Sequence, residues 1–184
     1  MKTIRSAAVL ASLATSLLSG TAFAQKTTDL GDGDGGSGHV KTEWTVAKAN
    51  ISISYGRPKL KGRAEATMMP VGEPWRTGAD VATIITTDKA LKFGTFTLAP
   101  GSYTINTQPG EASWTIIAGK LSEPKQWGVP YQPKLEIGRA PMKLEKTAAP
   151  VELLTITIDP SAAGGTLNVE WGTKKASIPF TVAP

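Results

Sequence analysis

Leu154-Thr-Ile-Thr-Ile158, then Gly164-Gly165, then Leu167-Asn-Val-Glu-Trp171 is the stretch that decides the fold. Apolar residues take every second position in both runs. A strand turns successive side chains to opposite faces, so each run offers one face to a core and one to polar surroundings. The glycine pair between them is turn punctuation. Outward from there, Ile51, Ile53 and Tyr55 alternate with Ser52 and Ser54, and Ile178, Phe180 and Val182 repeat the pattern with Ser177 and Thr181. Phe96 and Leu98 lead into Pro100-Gly101, a pair suited to the centre of a type II turn, and Tyr103 and Ile105 resume the alternation. That order predicts a hairpin across Pro100-Gly101. After residue 24 no segment sustains a helical period over three turns. The expected fold is all-β: a single antiparallel β-sandwich from about Lys41 to Pro184, preceded by a disordered N-terminal tail.

The first 24 residues read as a secretory signal peptide. Lys2 and Arg5 open it, an apolar run extends from Ala7 to Leu18, and Ala22-Phe23-Ala24 supplies the small residues of a cleavage site. The run is shorter than the roughly 20 apolar residues that cross a bilayer, and no comparable stretch follows, so no integral membrane segment is expected. Removing 24 of 184 residues leaves 160, enough for one core. Loss of Lys2 and Arg5 lowers the formal charge from +5 to +3, too little and too scattered to argue for a nucleic acid partner. With no cysteine, packing alone must hold the domain. The expected destination is outside the cytoplasm, periplasmic or secreted.

Residues 25–40 contain Gly31-Asp-Gly-Asp-Gly-Gly-Ser-Gly38, a composition with little to bury, which predicts a flexible tail. Asp32 and Asp34 resemble the opening of a calcium loop, but Gly36 stands where a third oxygen ligand belongs, so no metal site is expected. The single histidine, His39, falls in this tail, which would leave a Ser-His-Asp arrangement without a base in the domain. No His/Cys set holds zinc and no nucleotide-binding loop is present, so no cofactor and no catalytic residue are assigned. Glu65, Glu73, Asp80 and Glu136 are the carboxylates from which hydrolytic acid/base chemistry would have to be built, and nothing in the sequence brings two of them together.

Between Gly62 and Asp80 the alternation stops. Met68-Met69-Pro70, Glu73-Pro74 and Trp75-Arg76-Thr-Gly-Ala-Asp80 make a long excursion with room for one helical turn. Cationic and aromatic residues gather around it: Arg57, Lys61 and Arg63 before it, and Trp75 and Arg76 within it. Arginine forks grip carboxylate or phosphate, and an indole stacks on a ring or a guanidinium. These residues, with Asp80 and the loop tryptophan Trp127, form the candidate ligand-binding set. The spacing predicts that Arg57, Arg63 and Arg76 converge near Trp75, with Asp80 closing the group and Glu65 or Glu73 supplying a further anion. An internal clamp, with Arg76 paired to Asp80, fits the same spacing. Trp114 and Trp171 sit in alternating runs and are expected in the core.

Tyr55-Gly-Arg-Pro58, Lys61-Gly-Arg63, Pro70-Val-Gly-Glu-Pro-Trp-Arg-Thr-Gly-Ala-Asp80, Ala99-Pro-Gly-Ser-Tyr-Thr104, Trp114-Thr-Ile-Ile117 and Trp127-Gly128 follow one another as in an exported bacterial family. From about Asn50 onward the chain resembles the domain of unknown function 2911 family. Asp80 departs from it, standing where Asn is common, and so do Met68-Met69, where Leu-Val is expected. The resemblance implies an exported β-rich domain and brings no activity with it. The function expected from these readings is a non-enzymatic binding or interaction module for a small anionic or carbohydrate ligand. The alternatives are a carboxylate-dependent hydrolase of cell-envelope polymers or a purely structural envelope protein.

Overall fold

The structure, a computed structural model, describes residues 25–121 and 131–183. The leader expected over residues 1–24 and the candidate Trp127 lie outside them. The described residues form one antiparallel sheet of ten strands. In chain order these are β1 (Gln25–Asp32), β2 (Gly38–Val46), β3 (Ala49–Arg57), β4 (Thr83–Thr87), β5 (Leu91–Phe93), β6 (Phe96–Leu98), β7 (Gly101–Gln108), β8 (Ser113–Lys120), β9 (Glu136–Ser161) and β10 (Gly164–Val182). Their order in the sheet is β1-β2-β3-β4-β7-β8-β9-β10-β5-β6. One four-residue helix, α1 (Glu65–Met68), lies in the excursion.

Leu154–Trp171 is the β9–β10 hairpin, with Ile158 opposite Leu167 and Ile156 opposite Val169. Both strands are long enough to serve two layers. The first part of β9 pairs with β8, while its last part meets the end of β3, where Lys59 bridges Leu153. The Tyr55 hydroxyl accepts the Ile156 amide at 2.9 Å across the same seam. Folded over in this way, the sheet is a sandwich around one core built from β2 to β10, including Trp114, Trp171, Phe93 and Ile85. Trp114 and Trp171 are buried, as their alternating runs predict.

Two local expectations change. No hairpin forms across Pro100-Gly101: β6 turns back onto β5, and β7 joins β4 and β8. Turn residues set a bend, and the bend here carries the chain from one edge of the sheet into its middle. The flexible stretch expected over residues 25–40 is instead a hairpin. β1 pairs with β2 from Gln25 opposite Trp44 to Asp32 opposite Gly38, with a bulge between Asp29 and Gly31. All eight β1 residues are exposed, so backbone pairing rather than apolar burial holds this strand.

Candidate ligand-binding cleft

The excursion after β3 and the loop between β1 and β2 face each other across a cleft of about 1030 Å³. Six of the seven sequence-predicted residues line it: Arg57, Lys61, Arg63, Trp75, Arg76 and Asp80. The seventh, Trp127, is outside the described residues. The three guanidiniums and Trp75 therefore border one space, but the contacts within it differ from the expected ones.

Pro58 keeps Arg57 at the extended end of β3, so its fork reaches sideways to β9. There Nε donates to the Leu154 carbonyl and Nη2 to Thr155 Oγ1, each at 3.1 Å. Arg63 folds back on its own turn, with Nε donating to Leu60 O at 2.9 Å and Nη2 to Lys59 O at 2.5 Å. Arg76 Nη1 donates to the backbone carbonyl of Asp80 at 3.1 Å, not to its carboxylate. Among the described residues no carboxylate lies within ion-pair distance of these three arginines. Each guanidinium has five N–H donors, and the contacts above use one or two of them.

The Asp80 carboxylate is engaged elsewhere. One oxygen lies 2.9 Å from His39 Nε2 and the other accepts the Gly35 amide at 3.1 Å. His39 belongs to β2, so the folded domain does contain a histidine, and an aspartate orients it. The expectation that the domain lacks such a base therefore fails, because His39 is part of a paired strand. The Gly33–Gly36 turn lies so close to Asp80 that a Cβ on Gly33 or Gly35 would overlap its carboxylate oxygens, and one on Gly56 would overlap the Ala79 carbonyl. Asp80 and Thr77 both have left-handed backbones, at φ 61° and 55°. Asp tolerates this and a β-branched residue resists it. The buried Thr77 is held there by Oγ1 donating to Thr107 Oγ1 at 3.0 Å and by its carbonyl accepting Thr83 Oγ1 at 2.9 Å.

Trp75 forms the cleft's aromatic floor. It stacks on Trp171 with ring centres 5.5 Å apart and meets Trp114 edge-on at 6.4 Å. Its amide and carbonyl also bond the backbone of Thr107, at 2.7 and 2.8 Å.

The carboxylates nominated for catalysis are dispersed among separate partners. Glu65 accepts the amide and hydroxyl of Thr173, and Glu73 is exposed. Glu136 joins Arg139 and Tyr131, and Glu136, Tyr131 and Arg76 line a cavity of about 20 Å³. Arg139 Nη2 lies 2.6 Å from Glu136 Oε2, and this cation holds the Glu136 carboxyl below its usual range. A depressed carboxyl stabilises the fold fully above its unfolded pKa, about 4.3 for Glu, and this contribution is lost as pH falls through the folded value. The melting-temperature gap between wild type and Arg139→Gln is therefore expected to shrink as pH falls below about 4.3. A gap that stays constant down to pH 2 would refute that coupling.

Residues 37–180 match the family described as "Protein of unknown function (DUF2911)". The chain belongs to that family. Neither the curated proteins nor the solved structures yield a match. In this DUF2911 member the motifs that carried the resemblance converge on the cleft: Arg57-Pro58, Lys61 and Arg63, Trp75-Arg76 and Gly78-Ala79-Asp80. Lys59, His39, Asp29 and Asp32 also line it and were missed. The available signal was His39 standing one residue before the alternating Val40, Thr42, Trp44 and Val46.

Proposed function

We propose that this protein is a binding module whose cleft takes a small anionic ligand, and that it works outside the cytoplasm, as the Met1–Ala24 leader would require. One observation carries the reading: three arginines border a single cleft, and although Asp29, Asp32 and Asp80 line it too, no described carboxylate lies within ion-pair distance of the three. Unpaired guanidinium donors facing a cleft gain most from a carboxylate, phosphate or sulfate. A neutral carbohydrate is less favoured, because it would bring no counter-charge to these cations. Hydrolysis by paired carboxylates is less favoured too, since Glu65, Asp80 and Glu136 are each held by other groups.

A ligand that binds only the folded state raises its melting temperature with concentration. Phosphate or sulfate at millimolar concentration is expected to raise that of the wild type beyond a chloride control of equal ionic strength. Arg57→Gln should lose most of this shift, along with a few degrees of intrinsic stability from its bonds to Leu154 and Thr155. A shift retained in full by both Arg57→Gln and Arg63→Gln would overturn the reading.

A further inference from the structure

The anion-binding reading gives the ligand a charge, and the remaining walls of the cleft describe its body. At about 1030 Å³ the space is far larger than one inorganic anion needs and lies at the upper end of clefts that enclose drug-sized molecules. Its cations are concentrated. Arg57, Lys59, Lys61 and Arg63 all leave the end of β3 and the turn that follows. The rest of the lining is mixed: Met68 at the end of α1, Trp75 beyond it, and Pro58 and Leu153 at the seam between β3 and β9 give it an apolar part, and Asp29, Asp32 and Asp80 an acidic one. Met68 and Trp75 are half-buried and pack on the core, so they form a supported surface rather than loose side chains. A bare phosphate would leave that surface wet, whereas an apolar group beside the anion would remove it from water.

We propose, building on the anion reading, that the cleft binds an amphiphilic anion: one carboxylate, phosphate or sulfate group carried on an apolar or aromatic body. The head meets the cations that follow β3, and the body lies along Met68, Trp75 and Leu153. Two features fit this division. The guanidinium of Arg57 is anchored through Nε and one Nη2 donor, so its fork is already oriented before a ligand arrives. Trp75 is fixed by Trp171 and Trp114, so a ligand ring would meet a rigid indole.

The test uses matched probes on the full folded domain by calorimetric titration: phosphate against phenyl phosphate, and acetate against phenylacetate. Burying a phenyl ring is expected to tighten binding about tenfold or more within each pair. The pair with the larger affinity identifies the head group as phosphate-like or carboxylate. Met68→Gln should remove most of the phenyl advantage and leave phosphate affinity unchanged, while Arg57→Gln should weaken both members of a pair. A second measurement does not depend on any variant folding. 4-Nitrophenyl phosphate should quench tryptophan fluorescence saturably, and phenyl phosphate should reverse the quenching at lower concentration than phosphate does. Equal affinity for phosphate and phenyl phosphate, or quenching that does not saturate, would overturn the amphiphilic ligand and leave the anion site standing. No binding of any of the four probes would overturn both.

Discussion

Trp171→Ala is expected to lower stability by about 3–5 kcal/mol, measured as a fall in the urea or guanidinium midpoint. The side chain is fully buried, stacks on Trp75, and donates its indole N–H to the Glu152 carbonyl at 3.1 Å. Its removal leaves a cavity under the aromatic floor of the cleft and takes one of two donors from the Glu152 carbonyl, which keeps the Leu60 amide at 3.0 Å. Trp171→Phe keeps most of the ring and loses the donor, so about a third of the effect should remain. A loss below 1 kcal/mol in the alanine variant would mean that Trp75 and the excursion do not depend on this stack.

Asp80→Ala is expected to cost about 2–3 kcal/mol, because it strands His39 and frees the turn that carries Gly35. Both side chains of the pair are only about a tenth exposed, at 13% for His39 and 10% for Asp80, so water replaces the lost contact poorly. Asp80→Asn keeps an acceptor of the same shape and should cost less than about 1 kcal/mol. The two variants also separate in hydrogen exchange. Amides of Gly33 to Gly36 should exchange much faster in Asp80→Ala, whereas those of β7 and β8 stay protected. Gly35→Ala should resemble Asp80→Ala, since its added Cβ collides with the same carboxylate. If the glycine turn exchanges equally fast in wild type, Asp80 does not hold it.

The β9–β10 hairpin was legible because each of its strands turns alternate residues to one core, and the repeat of two is written directly in Leu154, Ile156, Ile158, Leu167, Val169 and Trp171. The candidate cleft was legible in part. Arg57, Arg63, Trp75 and Arg76 stand out because cations and an indole interrupt a proline-rich segment. Their partners were not legible. Arg76 bonds the Asp80 carbonyl rather than its carboxylate because that carboxylate belongs to His39 and Gly35, 41 and 45 residues away along the chain. The glycine-rich stretch read as unstructured because it has nothing to bury. Its order comes from a ladder with β2 and from a carboxylate that only tertiary folding brings near. Pro100-Gly101 failed as a hairpin for a related reason, since turn chemistry specifies curvature and not which strand waits on the far side.

The seams that close the sheet also fix when the cleft can exist. β5 finds its partner at Thr181 and Val182, and the chain just after β3 finds its own at Leu153, so both joins span roughly ninety residues. Such closures form late, after the local hairpins, and make folding slow for the size of the domain. The cleft takes Asp29 and His39 from the early part of the chain and Leu153 and Trp171 from the late part. A nascent chain emerging from its N-terminus therefore has no such cleft until its last strands are released. An occupant of the cleft has nothing to grip in the folding transition state, so it should prolong the lifetime of the finished molecule by slowing unfolding and leave the rate of folding almost unchanged.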